Sequence, residues 1–160
     1  MSQTTNTILM IRPVNFRMNE QTAVNNYFQE EIDLKNADIN AKAQKEFDAF
    51  VDKLRAVGVN VIVESDDKLM DTPDSIFPNN WVSFHENGDV ALYPMFAENR
   101  RKERRDEVFM RLENEGFKIE NIIDSAPTMN LCTNKQHGRL SIKENKIVCF
   151  LDAVSLCVCR

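Results

Sequence analysis

The side chains best suited to chemistry on a small ligand fall within residues 72–105. Asn79 and Asn80 follow a proline in Phe77-Pro78-Asn79-Asn80-Trp81, and Arg100, Arg101, Arg104 and Arg105 crowd just past a hairpin signal. A side-chain amide donates and accepts at once, and a guanidinium fork matches a carboxylate through two parallel hydrogen bonds. A core strand needs neither, whereas a binding loop can use both. The bland readings stand beside this one. Asp74, Asn79 and Asn80 also suit turn caps, and the arginines, interleaved with Glu98, Glu103, Asp106 and Glu107, also suit a solvated helix face. A helix over residues 100–115, capped by Asn99, would set cations against its macrodipole. Such a helix start would suit an anion held by N–H groups and arginines together.

Other reactive residue types carry less. His85 precedes a hairpin turn and reads as exposed, and His137 reads as a loop residue. Cys132, Cys149, Cys157 and Cys159 all lie late in the chain. With no signal peptide a disulfide framework is not expected. The single residue between Cys157 and Cys159 is not metal-ligand spacing. Cys149 reads as a small apolar residue on a strand. The acidic segment 64–74 lacks the spacing and glycine of a calcium loop and reads as solvated surface. No metal and no cofactor is expected.

The elements that must position these residues follow from periodicity. Residues 7–11 form a short apolar run ended by Pro13, the pattern of a buried strand. Residues 15–40 read as a long connection with a helical turn or two, where Val24, Tyr27 and Phe28 face inward. Residues 41–57 are the clearest helix, with Ala43, Phe47, Phe50, Val51, Leu54 and Val57 on one stripe. Asn40 is its candidate cap, and Gly58 sits where a left-handed residue is wanted. A strand follows over residues 59–63. Residues 81–84 and 90–93 flank Asn87-Gly88, a strong hairpin signal. A second helix over 100–115 ends at Gly116, and residues 117–123 form the next strand. With 160 residues, 42% apolar and 28% charged, one soluble domain is expected. A net charge of −5 argues against a nucleic-acid partner. The apolar run near the start is too short to span a membrane, so the chain reads as cytoplasmic.

The sequence repeats. Phe50-x3-Leu54-x3-Gly58-Val59-x-Val61 recurs as Val108-x3-Leu112-x3-Gly116-Phe117-x-Ile119, an offset of 58 residues. At that offset Ser83, Phe84, Glu86 and Asn87 correspond to Ser141, Ile142, Glu144 and Asn145, with a returning strand over 146–150. A repeated unit of this length points to a radial or stacked α/β architecture. The chain holds fewer than three such units. An open arc leaves apolar flanks and implies self-association through them.

The segments Thr72-Pro73-Asp74-Ser75-Ile76-Phe77-Pro78-Asn79-Asn80-Trp81, Tyr93-Pro94-Met95 and Asn99-Arg100-Arg101-Lys102-Glu103-Arg104-Arg105, with Asn19-Glu20-Gln21-Thr22-Ala23 and Asn25-Asn26 before them, resemble the amidinotransferase and arginine-deiminase superfamily. The likeness is nearest to its citrulline-utilisation hydrolases. The resemblance implies a five-bladed α/β propeller (a pentein), of which this chain carries two to three pseudo-repeats. It implies a C–N hydrolase, or an amidinotransferase, acting on a guanidino or ureido amino acid such as citrulline through a cysteine thiolate. Carried over position by position, it makes Asp74, Phe77, Asn79 and Asn80 substrate-binding, with Arg100 or Arg101 as the carboxylate grip. The family's catalytic histidine and cysteine would fall beyond Arg160, so no catalytic residue is assigned. Gln136-His137-Gly138-Arg139-Leu140-Ser141 departs from the family's Glu-Gly-Thr-Gly-Ser. The chain therefore reads as a truncated or frameshifted member, with an incomplete propeller over 1–150 and an out-of-frame or disordered tail over 151–160. A catalytically inactive fragment or binding remnant is the alternative.

Overall fold

Ile8 to Ile11 alternate across a strand, so Leu9 and Ile11 face one way and Ile8 and Met10 the other. Both faces are covered. The computed structural model describes residues 5–23, 36–125 and 148–149, and in it β1 (Thr7–Arg12) is the centre of a three-stranded sheet. On one side β1 pairs in parallel with β2 (Asn60–Ser65), Leu9 opposite Ile62. On the other it pairs in parallel with β6 (Val148–Cys149).

The β1–β2 crossover is α1 (Asn36–Ala56), which starts earlier than its stripe predicts. Asn40 therefore lies inside the helix rather than capping it. Its side chain bonds Val14 O at 2.8 Å and Phe16 N at 3.0 Å, tying the helix to the segment after β1. Phe47 and Val51 are buried, with Phe50 and Leu54 packed beside Met10, Val61, Ile8 and Val63. Val57, the last stripe position, is exposed. A fork from Arg12 to Asp48, both bonds at 2.8 Å, joins β1 to α1 and holds the Asp48 carboxyl below its ordinary range.

The second sheet has the order β3 (Val82–Phe84), β4 (Asp89–Leu92), β5 (Asn121–Asp124). The expected hairpin is there: β3 and β4 are antiparallel, and Gly88 takes φ +86° in the turn. β5 returns in parallel to β4. It begins later than the expected strand, because residues 117–120 are irregular.

The repeat read from the sequence reappears as backbone geometry. At the end of α1, Val59 N donates to Leu54 O and Gly58 N to Arg55 O, both at 3.0 Å. After α3 (Asp106–Asn114), Phe117 N donates to Leu112 O at 3.1 Å and Gly116 N to Glu113 O at 2.9 Å. These are two matching Schellman ends, each with its glycine near φ +90°. Each strand–helix–strand unit thus closes the same way. The two units share one core, in which Leu9, Ile11 and Ile62 of the first sheet join Val82 and Val90 of the second, Val108 and Leu112 of α3, and Trp81 just before β3. Trp81 meets Phe109 edge to face at 6.2 Å between ring centroids. Among the described residues the sheets do not close into a barrel. Val24, Tyr27, Phe28, the second hairpin at 141–145, His137, Cys132 and residues 151–160 lie outside the described residues.

Candidate functional site

Residues 66–81 carry the candidate turn, and both of its ends are anchored. At the start, Asp66 N donates to Arg12 O at 3.0 Å. The Asp66 carboxylate accepts from Thr72 Oγ1 at 2.6 Å, and Arg105 Nε lies 3.9 Å away. At the far end Trp81 is sunk in the shared core, and its carbonyl accepts from Tyr93 N at 2.8 Å. Between these points the chain makes successive turns, from Ser75 N to Thr72 O, Phe77 N to Asp74 O, and Asn80 N to Phe77 O. Pro78 opens the short 3-10 turn Pro78–Asn80, where a missing N–H costs nothing.

The acidic segment is solvated surface mainly in its middle, where residues 68–71 are exposed. Asp66 and Asp74 are both buried. A carboxylate leaves water only when polar groups receive it, and for Asp74 these partners are distant in sequence. Asn19 Nδ2 donates to Asp74 Oδ2 at 2.7 Å and Thr22 Oγ1 reaches the same oxygen at 3.4 Å. Asn19 is fully buried, and its Oδ1 accepts from Asn99 Nδ2 at 2.8 Å and from Gln21 N at 3.1 Å. Gln21 Oε1 in turn accepts from Asn99 N at 3.1 Å. The 19–22 turn, Asp74 and Asn99 form one buried polar network.

The basic run does not form one helix over residues 100–115. α2 (Glu98–Arg101) stops after one turn, Arg105 is extended at φ −122° and ψ 134°, and α3 starts at Asp106. The expected conflict with the macrodipole therefore disappears. Arg100 and Arg101 sit in the last turn of α2, and Asp106 and Glu107 in the first turn of α3, each the favourable end. Asn99 is not a cap either; Ala97 holds that position and Asn99 is buried in the network. The arginines fan out to separate walls. Arg101 donates to Met95 O and Phe96 O, Arg104 to Asp124 Oδ2, and Arg105 to Ser65 O.

Arg100 goes to the turn. Its Nε donates to Glu103 Oε1 at 3.0 Å and an NH2 hydrogen to Glu103 Oε2 at 3.1 Å. NH1 donates to Asn80 Oδ1 at 2.8 Å, and NH2 also reaches Phe77 O at 3.4 Å. Asp74 Oδ2 lies 3.8 Å from Nε. Four contacts engage a group with five N–H donors. Glu103 itself is buried, and burial pushes its carboxyl up to about 7 against the opposing pull of Arg100, with Asp74 and Asp66 adding to the rise.

A family model described as N,N dimethylarginine dimethylhydrolase, eukaryotic, matches residues 12–137. The chain belongs to this family. No curated protein and no solved structure matches it. The dimethylarginine dimethylhydrolase match takes in the whole network from Asn19 to Glu103 and agrees with the guanidino-modifying superfamily that the motifs resemble.

Within this dimethylarginine dimethylhydrolase member the six sequence candidates divide. Asp74, Phe77, Asn80 and Arg100 are linked by the contacts above. Asn79 lies on the same turn, and its Oδ1 is buried with no hydrogen-bond partner; Ser75 Oγ is in the same condition. Asn80 is exposed and Phe77 half-buried. Arg101 is exposed and bonds the 95–96 backbone rather than the turn. Reading the sequence singled out no role for Asn19, Asn99 or Glu103 at the site. The signals were an Asn-x-Gln-Thr segment inside the family match and an Arg–Glu pair three residues apart. His85 is half-buried rather than exposed, its Nε2 3.2 Å from Ser83 Oγ, which lies 2.7 Å from Tyr93 OH. An open concavity of about 410 Å³ lies elsewhere, between the hairpin turn and the end of α3, where His85, Gly88, Leu112, Phe117 and Ile119 line it. Among the described residues no group of three His, Cys, Asp or Glu could hold a metal ion, and no helix is long and apolar enough to cross a membrane.

Proposed function

We propose that residues 74–80 with Arg100 and Arg101 form the substrate-gripping part of a C–N hydrolase for a guanidino or ureido amino acid, citrulline or a close analogue. The observation that carries this is the Phe77–Asn80 turn. It holds one buried amide oxygen without a partner, at Asn79, beside a second amide at Asn80 kept at the surface by Arg100. A ureido group presents both a carbonyl and N–H donors, and a side-chain amide answers both. A cationic guanidinium would favour carboxylates at these positions. The substrate's α-carboxylate falls to Arg100 or Arg101. Arg100 keeps one uncommitted N–H donor, and Arg101 keeps three while standing exposed.

The chemistry proposed is that of the superfamily. A thiolate forms a C–S bond at the central carbon, the C–N bond breaks as a histidine protonates the leaving nitrogen, and water then releases the adduct. The thiol and the histidine are assigned to no described residue. In this reading the two strand–helix–strand units are successive blades of a five-bladed propeller, which their matching Schellman ends support. β5 is an edge of its sheet among the described residues, with Ile122 and Ile123 half-exposed. That supports self-association through an unclosed flank.

The test is direct. The purified 160-residue chain is incubated with citrulline, arginine and dimethylarginine, and release of the amine or ammonia is measured with ligand-induced NMR shifts at Asn79 and Asn80. Turnover above a heat-killed control establishes the hydrolase. Shifts without turnover select a binding remnant. Neither signal with any of the three ligands overturns the assignment.

A further inference from the structure

The proposed function leaves Glu103 without a role, although it is among the most deeply buried charged groups described. Its residue is 3% exposed, and both its carboxylate oxygens are taken by the same arginine. That arginine reaches across to a different segment and holds Phe77 O and Asn80 Oδ1. The local hydrogen bonds inside the turn are two backbone bonds, Asn80 N to Phe77 O at 3.2 Å and Trp81 N to Pro78 O at 3.0 Å. No side chain caps the turn. The atom that sets where the Asn80 side chain points is therefore Arg100 NH1, and the group that sets where the Arg100 fork points is Glu103.

We propose that Glu103 is the positioning residue of the site, aiming the Arg100 fork so that the turn presents its two amides in one orientation. This rests on the reading of Phe77–Asn80 as the substrate-gripping turn. Glu103 touches no substrate; it acts through Arg100. Three features of the geometry make it suited to this. Two-point attachment fixes the plane of a guanidinium, whereas a single acceptor leaves it free to swing. Burial at the break between α2 and α3 holds the carboxylate on backbone that is itself tied down, Glu103 N donating to Arg100 O at 3.1 Å. A lysine in place of Arg100 could not span Glu103, Phe77 O and Asn80 Oδ1 together, because it is a point charge and not a fork.

The experiment is run at about pH 8, above the Glu103 titration near 7 so that the carboxylate is ionised, and compares the wild-type chain with Glu103→Gln, Glu103→Ala and Arg100→Lys. Amide hydrogen exchange is measured at Asn80 and Trp81, and at Leu9 and Ile62 in the first sheet. Citrulline titrations are followed at the Asn80 side-chain amide. The expected result is a tenfold or greater acceleration of exchange at Asn80 and Trp81 in Glu103→Ala. Leu9 and Ile62 should change less than threefold. Glu103→Gln, which keeps one acceptor, should fall between wild type and Glu103→Ala, and Arg100→Lys should match Glu103→Ala. Equal acceleration at the turn and at the sheet would make Glu103 a merely structural residue and overturn the proposal. No acceleration at the turn would overturn it too. If Glu103→Ala does not fold, the Gln and Lys variants decide by the same two criteria. Citrulline shifts absent from the wild type, with the exchange pattern as expected, would sink the substrate reading and leave the positioning role standing.

Discussion

Glu103 also makes a prediction about pH. Its carboxyl is raised from 4.5 to about 7 in the folded chain, so folding favours the neutral form. The contribution is whole below pH 4.5 and is lost as pH rises through 7. A shift of this size is worth on the order of 3 kcal/mol. Urea unfolding of the wild type between pH 5 and 8 should show stability falling with pH in that window. Glu103→Gln, which cannot titrate, should remove most of the slope, whatever its absolute stability; an unchanged slope would place the titration elsewhere. A second residue-scale prediction concerns Asn19. Replacing it by Ala leaves the Asp74 carboxylate short of its nearest donor and Asn99 Nδ2 without its 2.8 Å acceptor. Uncompensated buried polar groups cost about 1–3 kcal/mol each, so Asn19→Ala should lower stability by about 2–6 kcal/mol in the same melts. These residues were hard to read as a site because their partners are remote. Asn19 meets Asp74 and Asn99, 55 and 80 positions away, and no local pattern records that. The turn at Pro78–Asn80, by contrast, was legible from its neighbours in the chain.

At the scale of elements, the apolar stripe of α1, the hairpin around Gly88 and the positions of β1 and β2 were all readable, because periodicity and turn chemistry are local. The break between α2 and α3 was not. Residues 98–114 have the charge and apolar content of one continuous helix. What interrupts them is tertiary: Arg105 turns out to reach Ser65 O, and Asn99 is drawn into the buried network with Asn19. The two helix ends that do match give a graded prediction. Gly58, Gly88 and Gly116 all have φ between +86° and +90°, where an L-residue costs about 1–2 kcal/mol. A Cβ at Gly58 or Gly116 would meet nothing within 4 Å, whereas one at Gly88 would lie 2.7 Å from Glu120 Cγ and 3.1 Å from Lys118 O. The Glu120 side chain can move aside; the Lys118 carbonyl, part of the segment that leads into β5, can move far less. Gly58→Ala and Gly116→Ala should therefore cost about 1 kcal/mol each and Gly88→Ala clearly more. Chemical denaturation of the three variants checks the order. A Gly88→Ala variant as stable as the other two would mean that the hairpin and the 117–120 segment are not packed as described.

For the whole molecule, the decisive feature is that the two sheets share one core. The sequence showed two similar units but could not show whether they stand apart or lean on each other, because an amphipathic pattern names a buried face and not its partner. Leu9 in the first sheet and Leu112 on α3 are both fully buried and belong to the same cluster, which also holds Trp81. The protein should therefore unfold as one body. Trp81 is the only tryptophan, so its fluorescence reports the junction, while far-UV circular dichroism reports both units together. The two signals should trace a single coincident transition. Leu9→Ala and Leu112→Ala should each cost about 2–5 kcal/mol, as buried leucine truncations do, and each should move both signals together. If Leu9→Ala shifts the dichroism while the tryptophan transition stays in place, the units fold independently. The candidate turn would then be held from the second unit, by Arg100 through Asn80 Oδ1 at 2.8 Å and Phe77 O at 3.4 Å and by Tyr93 N on Trp81 O at 2.8 Å, and Leu9→Ala would leave its geometry unchanged.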